Sequence, residues 1–127
     1  MSETKTMLAI VWRAIADKKG EDIAVLDVRG ISSFTDFFVI CHGTNPRQNK
    51  AICDEVLGRL KRECGYSPAH LEGQESSEWI LMDYLDFVVH VFSENARSFY
   101  KLEKLWSDAV SLELEARGRA PNEAPPG

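Results

Sequence analysis

The chain has 127 residues, 44% of them hydrophobic and 28% charged, which is the usage of one ordinary globular domain and excludes a disordered chain, a collagen-like repeat and a coiled-coil rod. Fifteen Lys and Arg against twenty Asp and Glu leave a net charge of −5. Such a balance disfavours direct, sequence-specific nucleic-acid binding, where cationic contacts to phosphate supply most of the affinity, and suits a basic protein as partner.

In chain order, Leu8, Val11, Trp12 and Ile15 recur at i, i+3, i+4 and i+7, predicting an amphipathic helix from about Thr4 to Lys19. Lys18 and Lys19 suit the negative end of its dipole, and Gly20 its stop. Lys5 and Arg13 give the segment a flavour of an organellar transit peptide, but Glu3 and Asp17 oppose that, and a docked first helix is expected. Ile23 to Val28 reads as a short strand closed by Arg29 and Gly30. Phe37 to Cys41 has almost no alternation and reads as a strand covered on both faces.

Asn45, Pro46 and Gln48 are cap, first-turn proline and capping-box partner for a helix whose buried stripe is Ile52, Val56, Leu57 and Leu60 and whose end is Gly65. A short strand is expected from Ala69 to Leu71 and a turn from Glu72 to Ser77. Trp79–Asp83 and Phe87–Phe92 form a hairpin through Tyr84, Leu85 and Asp86. Ser93 caps a final helix carrying Phe99, Leu102, Leu105, Trp106, Ala109 and Leu112. The domain therefore spans residues 1–116. Residues 117–127, with three of the five prolines, form a tail expected to be disordered. The order of elements predicts a single-domain α/β (α+β) fold, a mixed sheet with helices on its faces.

Cys41, Cys53 and Cys64 cannot all pair with one another and none lies in a CxxC, which predicts a reduced, cytoplasmic protein. No apolar run approaches the ~20 residues of a membrane helix, so no membrane association is expected. The cysteines, with His42, His70 and His90, match no zinc spacing, and neither metal nor cofactor is expected. No G-x-S-x-G elbow or glycine-rich phosphate loop is present. Gly43-Thr44 before a helix invites comparison with nucleotidyltransferases. Those enzymes hold two metal ions on an Asp-x-Asp pair projecting from one strand face. Here Asp54 and Glu55 lie on the helix, while Asp83 and Asp86 are three apart across a turn. The reading is a binding domain on an enzyme-like fold. A nucleotide-binding or nucleotidyl-transferring enzyme is the alternative.

Between Arg62 and Arg97 there is no Lys or Arg, while Glu63, Glu72, Glu75, Glu78, Asp83, Asp86 and Glu94 fall in the same stretch. With Trp79 and Tyr84 this offers a basic protein both steering charge and aromatic contact area. The same residues also fit a solvated acidic loop with Trp79 in the core. Alternation puts Trp79, Leu81 and Asp83 on one strand face, as interface candidates, and Ile80 and Met82 on the other, as core. On the second strand Val88, His90 and Phe92 oppose Phe87, Val89 and Val91. Both sets are apolar enough for either face.

Asp27-Val-Arg29, Ser33 with Asp36-Phe-Phe-Val-Ile40, Gly43 with Gln48-Asn-Lys-Ala-Ile52, Glu72-Gly73, Trp79-Ile-Leu-Met-Asp83-Tyr84, Val89-His90-Val-Phe92 and Arg97 to Trp106 together resemble the ribosomal silencing factor (Iojap-like) family, over about residues 4 to 112. The resemblance implies a nucleotidyltransferase-like mixed sheet of about five strands without catalytic acids. It also implies a non-enzymatic repressor of translation that binds protein fourteen of the large ribosomal subunit and blocks small-subunit joining. Relatives of this kind also act in large-subunit assembly and form homodimers in isolation. The implied docking residues are Trp79, Leu81, Asp83 and Tyr84, with His90 and Tyr100 at further matching positions. One departure stands out: the family commonly has Gly where this chain has Leu85. Leucine resists positive φ, which predicts a different turn here.

Overall fold

The structure is a computed structural model that describes residues 3–30, 32–33, 35–100 and 110–111. The described elements run α1 (Glu3–Asp17), β1 (Glu21–Asp27), β2 (Phe37–Gly43), α2 (Pro46–Cys64), β3 (His70–Glu72), β4 (Trp79–Asp83), β5 (Phe87–Ser93), α3 (Glu94–Tyr100) and β6 (Val110–Ser111). The strands form one mixed sheet in the order β3-β4-β5-β2-β1-β6. Only β2 and β5 pair in parallel, and every other neighbour is antiparallel. The five predicted strands are all present.

The sixth strand is a correction. Val110 and Ser111 pair antiparallel with Asp27 and Leu26, so a helix running unbroken to Leu112 does not form. Without them the outer edge of β1 would present unpaired backbone groups, and a β-branched valine suits that edge better than a helix. The predicted helix survives as α3, capped as expected by the Ser93 hydroxyl, which accepts from Ala96 N at 3.0 Å. Leu102, Leu105, Trp106, Ala109, Leu112 and the tail 117–127 lie outside the described residues.

Both helices of the first half pack on one face of the sheet. Met7, Leu8, Ile10, Val11, Ala14 and Ile15 of α1 and Ile52, Cys53, Val56 and Leu60 of α2 enclose Val39, Cys41, Ile80, Met82, Phe87, Val89 and Val91. The sheet's other face carries Leu26, Val28, Phe38, Ile40, Val88 and Phe92, with Ala96 of α3 and the partly buried Ala24, Trp79 and Leu81 packed against them. All seven residues of β2 are buried, which is why that strand shows no alternation. Thus β5, undecided in sequence, splits: Phe87, Val89 and Val91 face the helices, and Val88, His90 and Phe92 the opposite side.

The entry to α2 is built as its residues predict, with one difference. The Asn45 side chain accepts from Gln48 N at 2.8 Å, but Gln48 Oε1 reaches back to Thr44 N, at 2.6 Å, rather than to the cap residue's own amide. Its Nε2 donates to the Lys18 and Lys19 carbonyls at 3.0 and 2.9 Å, so one side chain ties the start of α2 to the end of α1. Farther along, Arg59 bonds Glu55 at 2.6 Å and also Asp17, fixing the two helices side by side. Among the described residues no helix is long and apolar enough to cross a membrane.

Candidate functional site

Strand β4 alternates as its sequence dictates: Ile80 and Met82 are fully buried under the helices, and Trp79, Leu81 and Asp83 are half-buried on the opposite face. Trp79 lies across from Phe92, and Leu81 across from His90. The Trp79 indole sits 5.0 Å from the Phe92 ring and 5.9 Å from His90, and its Nε1 donates to His90 Nδ1 at 3.0 Å. Phe38 meets His90 edge-on at 4.9 Å. Trp79 and Leu81 thus rest on an aromatic floor.

His90 belongs to that floor, being 4% exposed. Burial pushes its pKa down to about 4, so the ring is neutral. Because Nδ1 accepts from the indole, the proton resides on Nε2, a buried atom without a hydrogen-bond partner among the described residues. The geometry makes His90 a positioning residue beneath Trp79.

Tyr84 differs from the expected exposed docking residue: it is 1% exposed, stacked with Tyr66 at 5.7 Å and Phe87 at 5.0 Å. Burial raises its phenol well above the ordinary range. Strand parity explains this, because Tyr84 follows Ile80 and Met82 onto the helix side. The turn also differs from expectation. Leu85 takes φ +74°, so the left-handed position is kept although leucine occupies it. Asp83 helps to hold it there, its carboxylate accepting from Leu85 N at 2.8 Å. Tyr100 ends α3, and its side chain lies outside the described residues.

Two residues that support this site were not singled out in the sequence. Asn49 is fully buried and donates from Nδ2 to the Ser77 carbonyl at 2.9 Å, anchoring the loop that delivers Trp79. Its signal was a polar residue on the stripe of Ile52, Cys53, Val56 and Leu60. Thr35 donates its hydroxyl to the Leu85 carbonyl at 2.9 Å; a contact fifty residues away leaves no local signal. Gly73 packs so closely that a Cβ there would lie 2.0 Å from the Trp79 carbonyl oxygen. Around this loop Glu72, Glu75 and Glu78 are exposed, as is Asp86 in the turn at the other end of β4, and Glu78 accepts from the Ser93 hydroxyl at 2.7 Å.

One group among the described residues brings metal-type ligands together: Glu21, His42 and Glu94, whose ligand atoms lie within 4.8 Å of one another. The Arg97 guanidinium stands 3.0 Å from His42 Nδ1 and can only donate, which leaves the proton of a neutral ring on Nε2, facing Glu21 at 3.3 Å. A cation there would displace that proton beside a fixed guanidinium. The cluster therefore fits a hydrogen-bonded network better than a metal site. At the start of α2, the Thr44 and Gln48 amides, which a phosphate cradle would need, are already bonded to side chains.

Fold and site together define a class of surface: a mixed-sheet domain presenting a tryptophan and a leucine on an aromatic floor, within an acidic stretch that has no Lys or Arg. Residues 1–126 match the family model described as "Ribosomal silencing factor during starvation". The chain is 45% identical to the ribosomal silencing factor RsfS of Halalkalibacterium halodurans over 109 residues, 86% of this chain and 92% of that one. It is 30% identical to the mouse "Mitochondrial assembly of ribosomal large subunit protein 1" over 73% of this chain and 42% of that longer protein. A crystal structure of protein CV0518 from Chromobacterium violaceum superposes with a TM-score of 0.79 at 35% identity, covering 84% of this chain and 88% of that one. The chain belongs to the ribosomal silencing factor family.

Proposed function

We propose that this protein represses translation without chemistry of its own, by binding ribosomal protein fourteen of the large subunit and filling space that the small subunit needs. The carrying observation is the half-buried Trp79–Leu81 pair on the Phe38–His90–Phe92 floor, set in a stretch without Lys or Arg. Fully desolvated aromatic anchors dominate protein interfaces, while surrounding charge sets approach and register. Asp83 and Tyr84 serve the surface from within, one holding the turn and the other wedging it on the helix-side core; Tyr100 is kept as a further contact on the family resemblance alone. An acidic protein reaches an RNA-rich particle by meeting a basic protein on it. The name of the mouse relative supports a second task on the same particle, in large-subunit assembly. In isolation, the aromatic face pairs two copies of the chain. The protein acts in the cytoplasm.

The test is Trp79→Ala. Binding to purified large subunits is expected to weaken by about 30-fold, as for a hot-spot aromatic, while the variant still unfolds cooperatively. A folded variant that binds like the wild type would overturn the assignment.

A further inference from the structure

The β4–β5 turn combines two costs. Leu85 holds φ +74°, a conformation that L side chains resist, and its side chain is the one large hydrophobic exposed among the described residues, at 59%. Relaxation is blocked at both backbone groups of the residue. Its N–H donates to Asp83 at 2.8 Å and its carbonyl accepts from Thr35 at 2.9 Å. On either side, Tyr84 N donates to the Phe87 carbonyl at 2.9 Å, Asp86 N to the Tyr84 carbonyl at 2.8 Å and Asp36 N to the Asp86 carbonyl at 3.1 Å. Tyr66 adds its hydroxyl to the Tyr84 carbonyl at 3.2 Å. A leucine is thus fixed outward on a pinned turn. Strained residues held this firmly are characteristic of functional sites.

Resting on the docking role proposed above, we propose that Leu85 is an apolar anchor of that surface, inserted into an apolar recess rimmed by basic side chains on the protein partner. The rim follows from charge. Asp83 and Asp86 flank the leucine, and Asp36 is joined to Asp86 through the backbone. Arg29, the cation that feels the charge of Asp36, is itself paired with Asp27 at 2.5 Å. Trp79 and Leu85 then mark two ends of β4, and the partner is gripped along the strand rather than at one point.

Leu85→Gly and Leu85→Asn separate strain from binding, since both residues tolerate positive φ. Wild type and both variants would be melted and then titrated against purified large subunits. Both variants are expected to melt at higher temperature than wild type yet to bind more weakly, on the order of tenfold. Higher melting with unchanged binding would make Leu85 a strained turn residue and nothing more, overturning the inference while leaving the Trp79 test untouched. If the glycine variant proves loosened instead, the asparagine variant decides: lost binding supports the anchor and full binding refutes it. Failure of the wild type to bind large subunits would remove the docking role itself.

Discussion

His90 lies under Trp79 as a neutral ring that cannot be protonated without breaking its bond from the indole. The unfolded chain has no such constraint, so between about pH 6.5 and pH 4 it takes up a proton that the native protein refuses. The stability in question is complete above that window and falls as pH drops through it, by about 2 kcal/mol at pH 5. His90→Asn keeps an acceptor for the indole but no titratable ring. Urea unfolding at pH 7 and pH 5 is expected to show the wild type losing about 2 kcal/mol more than the variant on acidification; equal losses would contradict a buried neutral histidine. At this scale the sequence was partly legible. Alternation separated Trp79 and Leu81 from Ile80 and Met82, but it was not carried on to Tyr84, which was grouped with Trp79 in the acidic patch and which the same parity turns inward. Family likeness, which compares positions rather than directions, repeated that placement on the surface. The His90–Trp79 bond was not legible, because nothing in β5 distinguishes its two faces when both are buried.

Among the elements, α2 and the β4–β5 hairpin do the positioning. Helix α2 announces itself through Asn45, Pro46 and Gln48, and its start and its left-handed end at Gly65 fall as those residues dictate. Asn45 and Asn49 lie one turn apart with separate duties, one capping the helix and the other holding the Ser77 loop. Asn45→Ala is expected to cost about 1 kcal/mol of stability and leave large-subunit binding unchanged. Asn49→Ala, which strips the buried Ser77 carbonyl of its donor, is expected to cost about 1–3 kcal/mol and also to weaken binding. Chemical denaturation and subunit titration on the pair would check this, and equal binding by both variants would detach the loop from the site. The hairpin strands were legible to the residue at Trp79, Asp83 and Phe87. Its turn was not, because local preference argues against leucine at φ +74° and only the remote Thr35 hydroxyl and the Asp83 carboxylate over-rule it. Strand β6 escaped for a similar reason: two residues pair with an edge more than eighty positions away, and periodicity has no hold on so short a segment.

For the whole molecule, the account is one of bulk and charge. A domain that buries ~1,200–2,000 Å² in total against its partner holds firmly without chemistry, and the rest of its body stands in the way of whatever approaches that face. On the proposed reading, net negative charge favours a basic protein over exposed RNA as the landing place. Occlusion makes inhibition follow occupancy, whereas catalysis would make it follow time and turnover. The most direct measurement mixes large and small subunits under joining conditions with increasing amounts of this protein and resolves the products on a sucrose gradient. The account predicts that joined ribosomes fall in proportion to the protein bound and that the protein travels with free large subunits alone. Joined ribosomes formed at full yield with the protein aboard, or a protein left at the top of the gradient, would contradict it.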